Sequence, residues 1–195
     1  GTGNGQAAAA LAREFRNVLA TDINLQQLEV ASQKNNIQYV CCSAEKTPFM
    51  QHTIDLVTVA QALHWFNLEN FYEEVRRVAK PSSIIAVWCY SLGSINDNVD
   101  PLICKLYTDI LGDEYWPRER RYIDDQYRTI AFPFRKIQSP SFTIEKKINF
   151  SSLVGYLHTW SAVKEYQQRK HSNPINLVYE SLVSAWREPQ IERII

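Results

Sequence analysis

The sequence predicts an α/β fold built on a mainly parallel sheet. Two observations carry this. Short apolar runs alternate with stretches of helical period through residues 1–90, and strands alternating with helices imply βαβ units. The 195 residues also fit one domain of ordinary size.

The elements follow in chain order. Gln6–Arg16 is Ala-rich, with Ala8, Leu11, Ala12 and Phe15 on one face of a helix. Asn17–Asp22 is a short apolar run ending in an acid, a buried strand. Leu25–Lys34 places Leu25, Leu28 and Ala31 on one helical face, and Asn35-Asn36 stops it. Ile37–Cys42 and Ile54–Ala60 are the next two strands. Asn67 caps a helix through Ala79 whose inner face carries Leu68, Phe71, Val75 and Val78. Pro81 ends that helix, and Ser83–Tyr90 is a fourth strand. Beyond residue 91, Val99, Leu102, Ile103, Leu106, Tyr107, Ile110 and Leu111 keep a helical period until Gly112. Phe142, Ile144, Ile148 and Phe150 alternate as in a strand, with Lys146 breaking the stripe. Ser151 or Ser152 caps a helix reaching about Lys164. Asn173-Pro174 opens a last helix with Ile175, Val178, Leu182 and Trp186 inward. No repeat or linker divides the chain, so residues 1–195 read as one α/β domain: a ligand-binding half over 1–90, then a helical and aromatic insertion with further elements over 91–195.

Composition narrows the function. Apolar residues at 45% and charged residues at 22% exclude a disordered or collagen-like chain. Lys plus Arg equals Asp plus Glu at 21 each, and this lack of basic excess disfavours nucleic acid as a partner. Cys41, Cys42, Cys89 and Cys104 form no CxxC pair and have no His at a zinc-finger offset. They read as free buried thiols in a reducing compartment, with no metal. No apolar stretch is long enough to span a membrane and no targeting segment opens the chain, so the expected location is the cytoplasm, without a membrane partner.

Gly1-Thr2-Gly3-Asn4-Gly5 stands directly before the first helix. Glycines let the backbone approach a ligand closely, and a helix N-terminus presents free N–H groups. Asp22 closes the next strand near the offset at which a dinucleotide-type fold sets an acid against ribose hydroxyls. The G-x-G-x-G spacing does not fit the dehydrogenase pattern, which puts a small residue where Gln6 stands. It resembles motif I of the class I S-adenosylmethionine-dependent methyltransferases. Ser43-Ala44-Glu45 with Pro48 is similar to that family's A-E-x-x-P segment, and Ile54–Val57 to its strand four. Ala60-Gln61-Ala62-Leu63-His64-Trp65-Phe66 resembles the A-x-H-W-F signature of the trans-aconitate methyltransferase-like branch. Arg77–Pro81, Trp88-Cys89-Tyr90 and Thr159-Trp160-Ser161 resemble further segments of it. Ser82-Ser83 replaces the usual Gly-Gly after Pro81.

The resemblance implies a Rossmann-like fold and a set of roles. Gly1, Thr2, Gly3, Asn4 and Gly5 would pass under the methionine and ribose of the cofactor. Asp22 would bind the ribose hydroxyls, and Ile23 would pack on adenine. Ser43, Ala44 and Glu45 would lie near the adenine edge, and Gln61 with Ala62 would line the cofactor. His64 is the catalytic candidate, as general base or substrate hydrogen-bonder, with a structural role in its loop as the alternative. Trp65, Trp88, Tyr90 and Trp160 would wall a substrate pocket, with core packing as the alternative for each. The implied reaction is in-line methyl transfer from S-adenosylmethionine to a small molecule such as a carboxylic acid, leaving S-adenosylhomocysteine. Alternatives are a protein or RNA methyltransferase and a non-catalytic binding protein of the same fold. The chain opens inside motif I, so the strand that ordinarily precedes it is expected to be absent, leaving two strand edges open. Glu192–Ile195 reads as the start of a terminal strand.

Overall fold

Val18–Asp22 (β1) and Ile37–Cys41 (β2) run parallel, with Val18 opposite Ile37 and Asp22 opposite Cys41. Ile54–Ala60 (β3) runs parallel to Ala79–Trp88 (β4). This computed structural model describes residues 1–195. It shows the expected α/β architecture as two separate parallel pairs, so β1 and β3 each have one strand partner.

The backbone divides into two units. Gly1–Ser91 and Tyr122–Phe134 form the first, Leu92–Arg121 and Arg135–Ile195 the second. In the first, Gln6–Leu11 (α1) is shorter than its apolar period suggests, and Phe15 is 38% exposed. Side chains take up carbonyls at its end: Lys34 Nζ donates to Ala9 O, and Asn36 Nδ2 to Ala12 O and Phe15 O. Leu25–Glu29 (α2) likewise stops before Asn35-Asn36, burying Leu28 and, just beyond its end, Ala31, while Leu25 stays exposed.

Leu68–Val78 (α3) has the expected cap, Asn67 Oδ1 accepting from the Asn70 N–H at 3.2 Å. Phe71, Tyr72, Val75 and Val78 are buried beneath it. The helix ends at Val78, and Pro81 does not terminate it but lies inside β4. Pairing steps from Ile54 opposite Ala79 to Leu56 opposite Ile84, so the residues around Pro81 bulge out. A bulge is where a strand tolerates a residue with no N–H to donate. Val59, Ala62, Leu63, Phe71, Tyr72, Val75 and Ile130 make the core of this unit. Ile130 belongs to the 122–134 segment, which brings Tyr127, Phe132 and Phe134 onto the same cluster.

In the second unit, Asp100–Lys105 (α4) runs into a π-helical stretch over Leu106–Leu111 and then Gly112–Tyr115 (α5). The expected single helix is thus rewound before Gly112, although Val99, Ile103, Leu106 and Leu111 are still buried. Arg120–Asp124 (α6) follows. The expected strand from Phe142 to Phe150 does not form. Phe142 and Ile144 are exposed, and only Lys147–Ile148 (β5) pairs, antiparallel to Arg193–Ile194 (β6). Asn149 is the reason Phe150 leaves the strand: its side chain accepts from the Ser152 N–H at 2.9 Å and caps Phe150–His158 (α7). The cap is therefore neither Ser151 nor Ser152. Ser161–Lys170 (α8) is a separate helix, since Trp160 is extended and packs on Tyr107, Trp116 and Tyr156. Asn176–Trp186 (α9) buries Val178, Leu182 and Trp186, with Ile175 at its cap.

The cysteines are unbridged, but the expected burial fails: Cys41 and Cys104 are exposed. No helix is long and apolar enough to cross a membrane.

Candidate functional site

Parallel strands leave a ligand crevice beyond their carboxyl ends, and the glycine loop folds back against the carboxyl end of β1. The Gly1 nitrogen and the Thr2 N–H both donate to Thr21 O at 2.8 Å. Gly3 N–H donates to Asp22 Oδ2 at 2.7 Å and Asn24 N–H to Asp22 Oδ1 at 2.9 Å. Asp22 is buried, yet each carboxylate oxygen keeps acceptor capacity beyond the one N–H it takes. Ile23 beside it is 77% exposed, an apolar side chain left bare at the strand end.

Two glycines of the loop leave no room for a side chain. Gly5 has φ +81°, and a Cβ there would lie 2.3 Å from Tyr39 Oη. A Cβ on Gly1 would lie 2.7 Å from the Ala62 Cβ, so the loop packs against the second residue after β3. Thr2 is half-buried and Asn4 exposed, its carbonyl accepting from the Ser32 N–H.

The structure gives the Ser43-Ala44-Glu45 segment a holding role. Ser43 Oγ donates to Glu45 Oε2, and the Asn67 N–H donates to Glu45 Oε1 at 2.9 Å. Burial pushes the Glu45 carboxyl up, but the Ser43 hydroxyl and Asn67 amide outweigh it and hold the group below its ordinary range. Ala44 packs against the core of the first unit. Two turns along α3 from Asn67, Glu74 pins the same loop. It accepts from the Thr47 N–H and Oγ1 at 2.8 and 2.5 Å, and from Arg77 Nε at 2.7 Å and Arg77 NH2 at 2.6 Å. The Arg77 bonds hold its carboxyl at about 2, against burial and with help from Thr47. Sequence reasoning passed over this clamp, although the i,i+3 spacing of Glu74 and Arg77 on one helix was visible.

Gln61 follows β3 in the left-handed region, φ +55°. Its N–H donates to Trp88 O at 2.9 Å, its Nε2 to Tyr90 O at 3.2 Å, and its Oε1 accepts from the Tyr90 N–H at 2.9 Å. The side chain thus extends the pairing of β3 with β4. Ala62 is buried. His64, in a 3-10 turn over Leu63–Trp65, is also buried, with Nδ1 2.8 Å from Tyr127 Oη and its ring 4.7 Å from that of Trp65. Trp65, Trp88 and Tyr90 are exposed at 57, 40 and 52%. Trp160 is instead buried in the second unit, its ring 5.7 Å from Tyr107 and 5.5 Å from Trp116. Tyr127 is the second residue that the sequence did not single out. It lies 63 positions from His64 in a stretch with no regular period.

Comparison with known proteins adds an independent line. Residues 1–87 match a protein family described as a methyltransferase domain. The chain is 33% identical to a Dictyostelium discoideum protein named as a methyltransferase, over 96% of this chain and 72% of that one. It is 28% identical to a malonyl-[acyl-carrier protein] O-methyltransferase of Marinomonas sp., over 98% of this chain and 79% of that one. A solved structure from Anaeromyxobacter dehalogenans, described as a type II methyltransferase, superposes with a TM-score of 0.91 at 34% identity. It is covered over 82% of its length, and this chain over 100%.

Proposed function

The chain belongs to the class I S-adenosylmethionine-dependent methyltransferases, and from that premise we propose that it O-methylates a small acidic molecule, using the crevice around Asp22. The observation that carries the proposal is the Gly3–Asp22 contact. It binds a glycine loop to a strand-end carboxylate that still has lone pairs to offer.

The residues present fit the cofactor. The loop holds no Cβ where Gly1 meets Ala62 or where Gly5 meets Tyr39. Thr2, Gly3 and Asn4 provide backbone at this end of β1, and Asp22 would accept the two hydroxyls of a ribose. Exposed Ile23 offers an apolar face for a purine. Ser43, Ala44 and Glu45 would border the base, with Glu45 acting by fixing the loop to the start of α3. Gln61 would contribute through its backbone, since its amide is spent on Tyr90, and Ala62 through its methyl group. When bound, S-adenosylmethionine would supply an electrophilic methyl group for an acceptor oxygen to attack in line, the carbon–sulfur bond breaking and S-adenosylhomocysteine leaving.

A carboxylate acceptor is already a nucleophile at neutral pH, so the protein's task is alignment and exclusion of water. His64 then orients the acceptor by hydrogen bonding instead of removing a proton. Trp65, Trp88 and Tyr90 form the aromatic wall, while the burial of Trp160 gives it a packing role. The Marinomonas relative, named for O-methylation of a malonyl thioester, supports an acidic acceptor. So does the balanced charge of 21 against 21, which offers no field for RNA.

The test is transfer of labelled methyl from S-adenosylmethionine into small dicarboxylic acids, malonyl thioesters, phenols, RNA and protein. Label recovered as a base-labile methyl ester of a small acid supports the reading. Label confined to RNA, protein or phenols overturns it.

A further inference from the structure

His64 and Tyr127 meet although the sequence holds them 63 positions apart, His64 Nδ1 standing 2.8 Å from Tyr127 Oη. The turn that delivers Tyr127 is unusual. Gln126 and Tyr127 both have left-handed backbone, φ +53° and +59°, and neither is glycine. Consecutive residues of that kind persist only where surrounding contacts hold them. Here the Gln126 N–H donates to Ile123 O at 2.8 Å and the Tyr127 N–H to Tyr122 O at 2.7 Å. Ile130, buried among Phe71 and Tyr72, anchors the following residues.

The strained turn therefore aims a phenol at an imidazole buried just past the end of β3. Partial burial and nearby Cys89 push the Tyr127 hydroxyl up to about 12, against backbone hydrogen bonds from His64 and Leu63, so it stays protonated at neutral pH. Plain packing would need only the ring; the hydroxyl adds a bond to one particular nitrogen of His64. Which imidazole nitrogen carries the proton is set by the hydrogen bond made at the other.

We propose that Tyr127 is a positioning residue for methyl transfer, fixing the tautomer and ring orientation with which His64 meets the acceptor. This rests on the role given to His64 above. It makes the 122–134 segment part of the catalytic apparatus of the first unit, although the rest of the chain on either side of it, 92–121 and 135–195, belongs to the second.

The test compares the full chain with Tyr127→Phe, which keeps the ring and removes only the hydroxyl. Ring-nitrogen NMR of His64 reads the tautomer without any turnover. One tautomer in the parent and a mixture in Tyr127→Phe are expected; the same pattern in both overturns the proposal. Because this readout needs no acceptor, its failure is distinct from failure of the methyl-transfer reading. In activity, Tyr127→Phe should lower kcat about tenfold with cofactor affinity within about twofold of the parent. In a His64→Ala background the same substitution should change kcat by less than about twofold; independent, multiplying effects overturn the proposal. Should Tyr127→Phe fail to fold, the parent spectrum decides: a tautomer mixture at His64 there also overturns it.

Discussion

The side chain of Gln61 closes a two-way hydrogen-bonded clasp on the backbone of Tyr90, with Nε2 donating to its carbonyl and Oε1 accepting from its N–H. The clasp continues the β3–β4 pairing past the last strand residues and holds exposed Trp88 and Tyr90 in place. Gln61→Glu keeps the shape but turns the donor into an acceptor facing the Tyr90 carbonyl. We expect it to cost about 1 kcal/mol, read as a lower urea midpoint at unchanged slope. Gln61→Gly removes the clasp and relieves the φ of +55° together, so its cost should be smaller than that of Gln61→Leu.

Glu74 gives a pH-dependent stability. Its carboxyl is held at about 2 in the folded chain, against 4.5 as the ordinary value. A depressed carboxyl contributes stability above its unfolded pKa and loses it as pH falls through the folded one. Glu74→Gln should therefore destabilise by roughly 2 kcal/mol at pH 7. The difference from the parent should shrink from about pH 4.5 downward and be nearly gone near pH 2. Denaturant melts of the two chains across that range check it, and an unchanged difference at low pH would contradict the clamp.

The loop glycines should not be equivalent. Gly3 has φ +56° but open space where a Cβ would go, its nearest neighbour being Gln27 Oε1 at 3.9 Å. Gly5 has φ +81° and the Tyr39 hydroxyl in the way. Gly3→Ala should carry only the left-handed penalty of roughly 1–2 kcal/mol. Gly5→Ala should lower the melting temperature further, because Tyr39, bonded to Ser32 O at 2.7 Å, must also move. Melting temperatures of the two variants, measured together, rank them.

What the sequence revealed was local. The β3 bounds, the Asn67 cap and the inward residues of α9 are matters of period and capping, which neighbouring residues encode. The Asp22 end of β1 was legible from the short apolar run that closes on an acid, together with its offset from the glycines. The failures came where a distant partner or a competing local bond decides. The apolar alternation ending at Phe150 lost to the Asn149 cap, and the Ala8–Phe15 stripe to the Asn36 amide at the end of α1. Pro81 looked like a helix stop but sits in a bulge that only β3 defines. Tyr127 was invisible because no pattern in residues 113–134 points to His64.

On the proposed reading, the Gly1–Gly5 loop and Asp22 form a nucleoside-cofactor site. Calorimetric titration of the folded chain with S-adenosylhomocysteine, beside Asp22→Asn, tests it most directly. Asparagine offers one carboxamide oxygen where Gly3 and Asn24 each now take one of two. Saturable one-site binding to the parent and a loss of at least about tenfold in Asp22→Asn, some 1.4 kcal/mol, are expected. A folded parent chain that gives no heat with either S-adenosylhomocysteine or S-adenosylmethionine, or equal affinity in both chains, would contradict it.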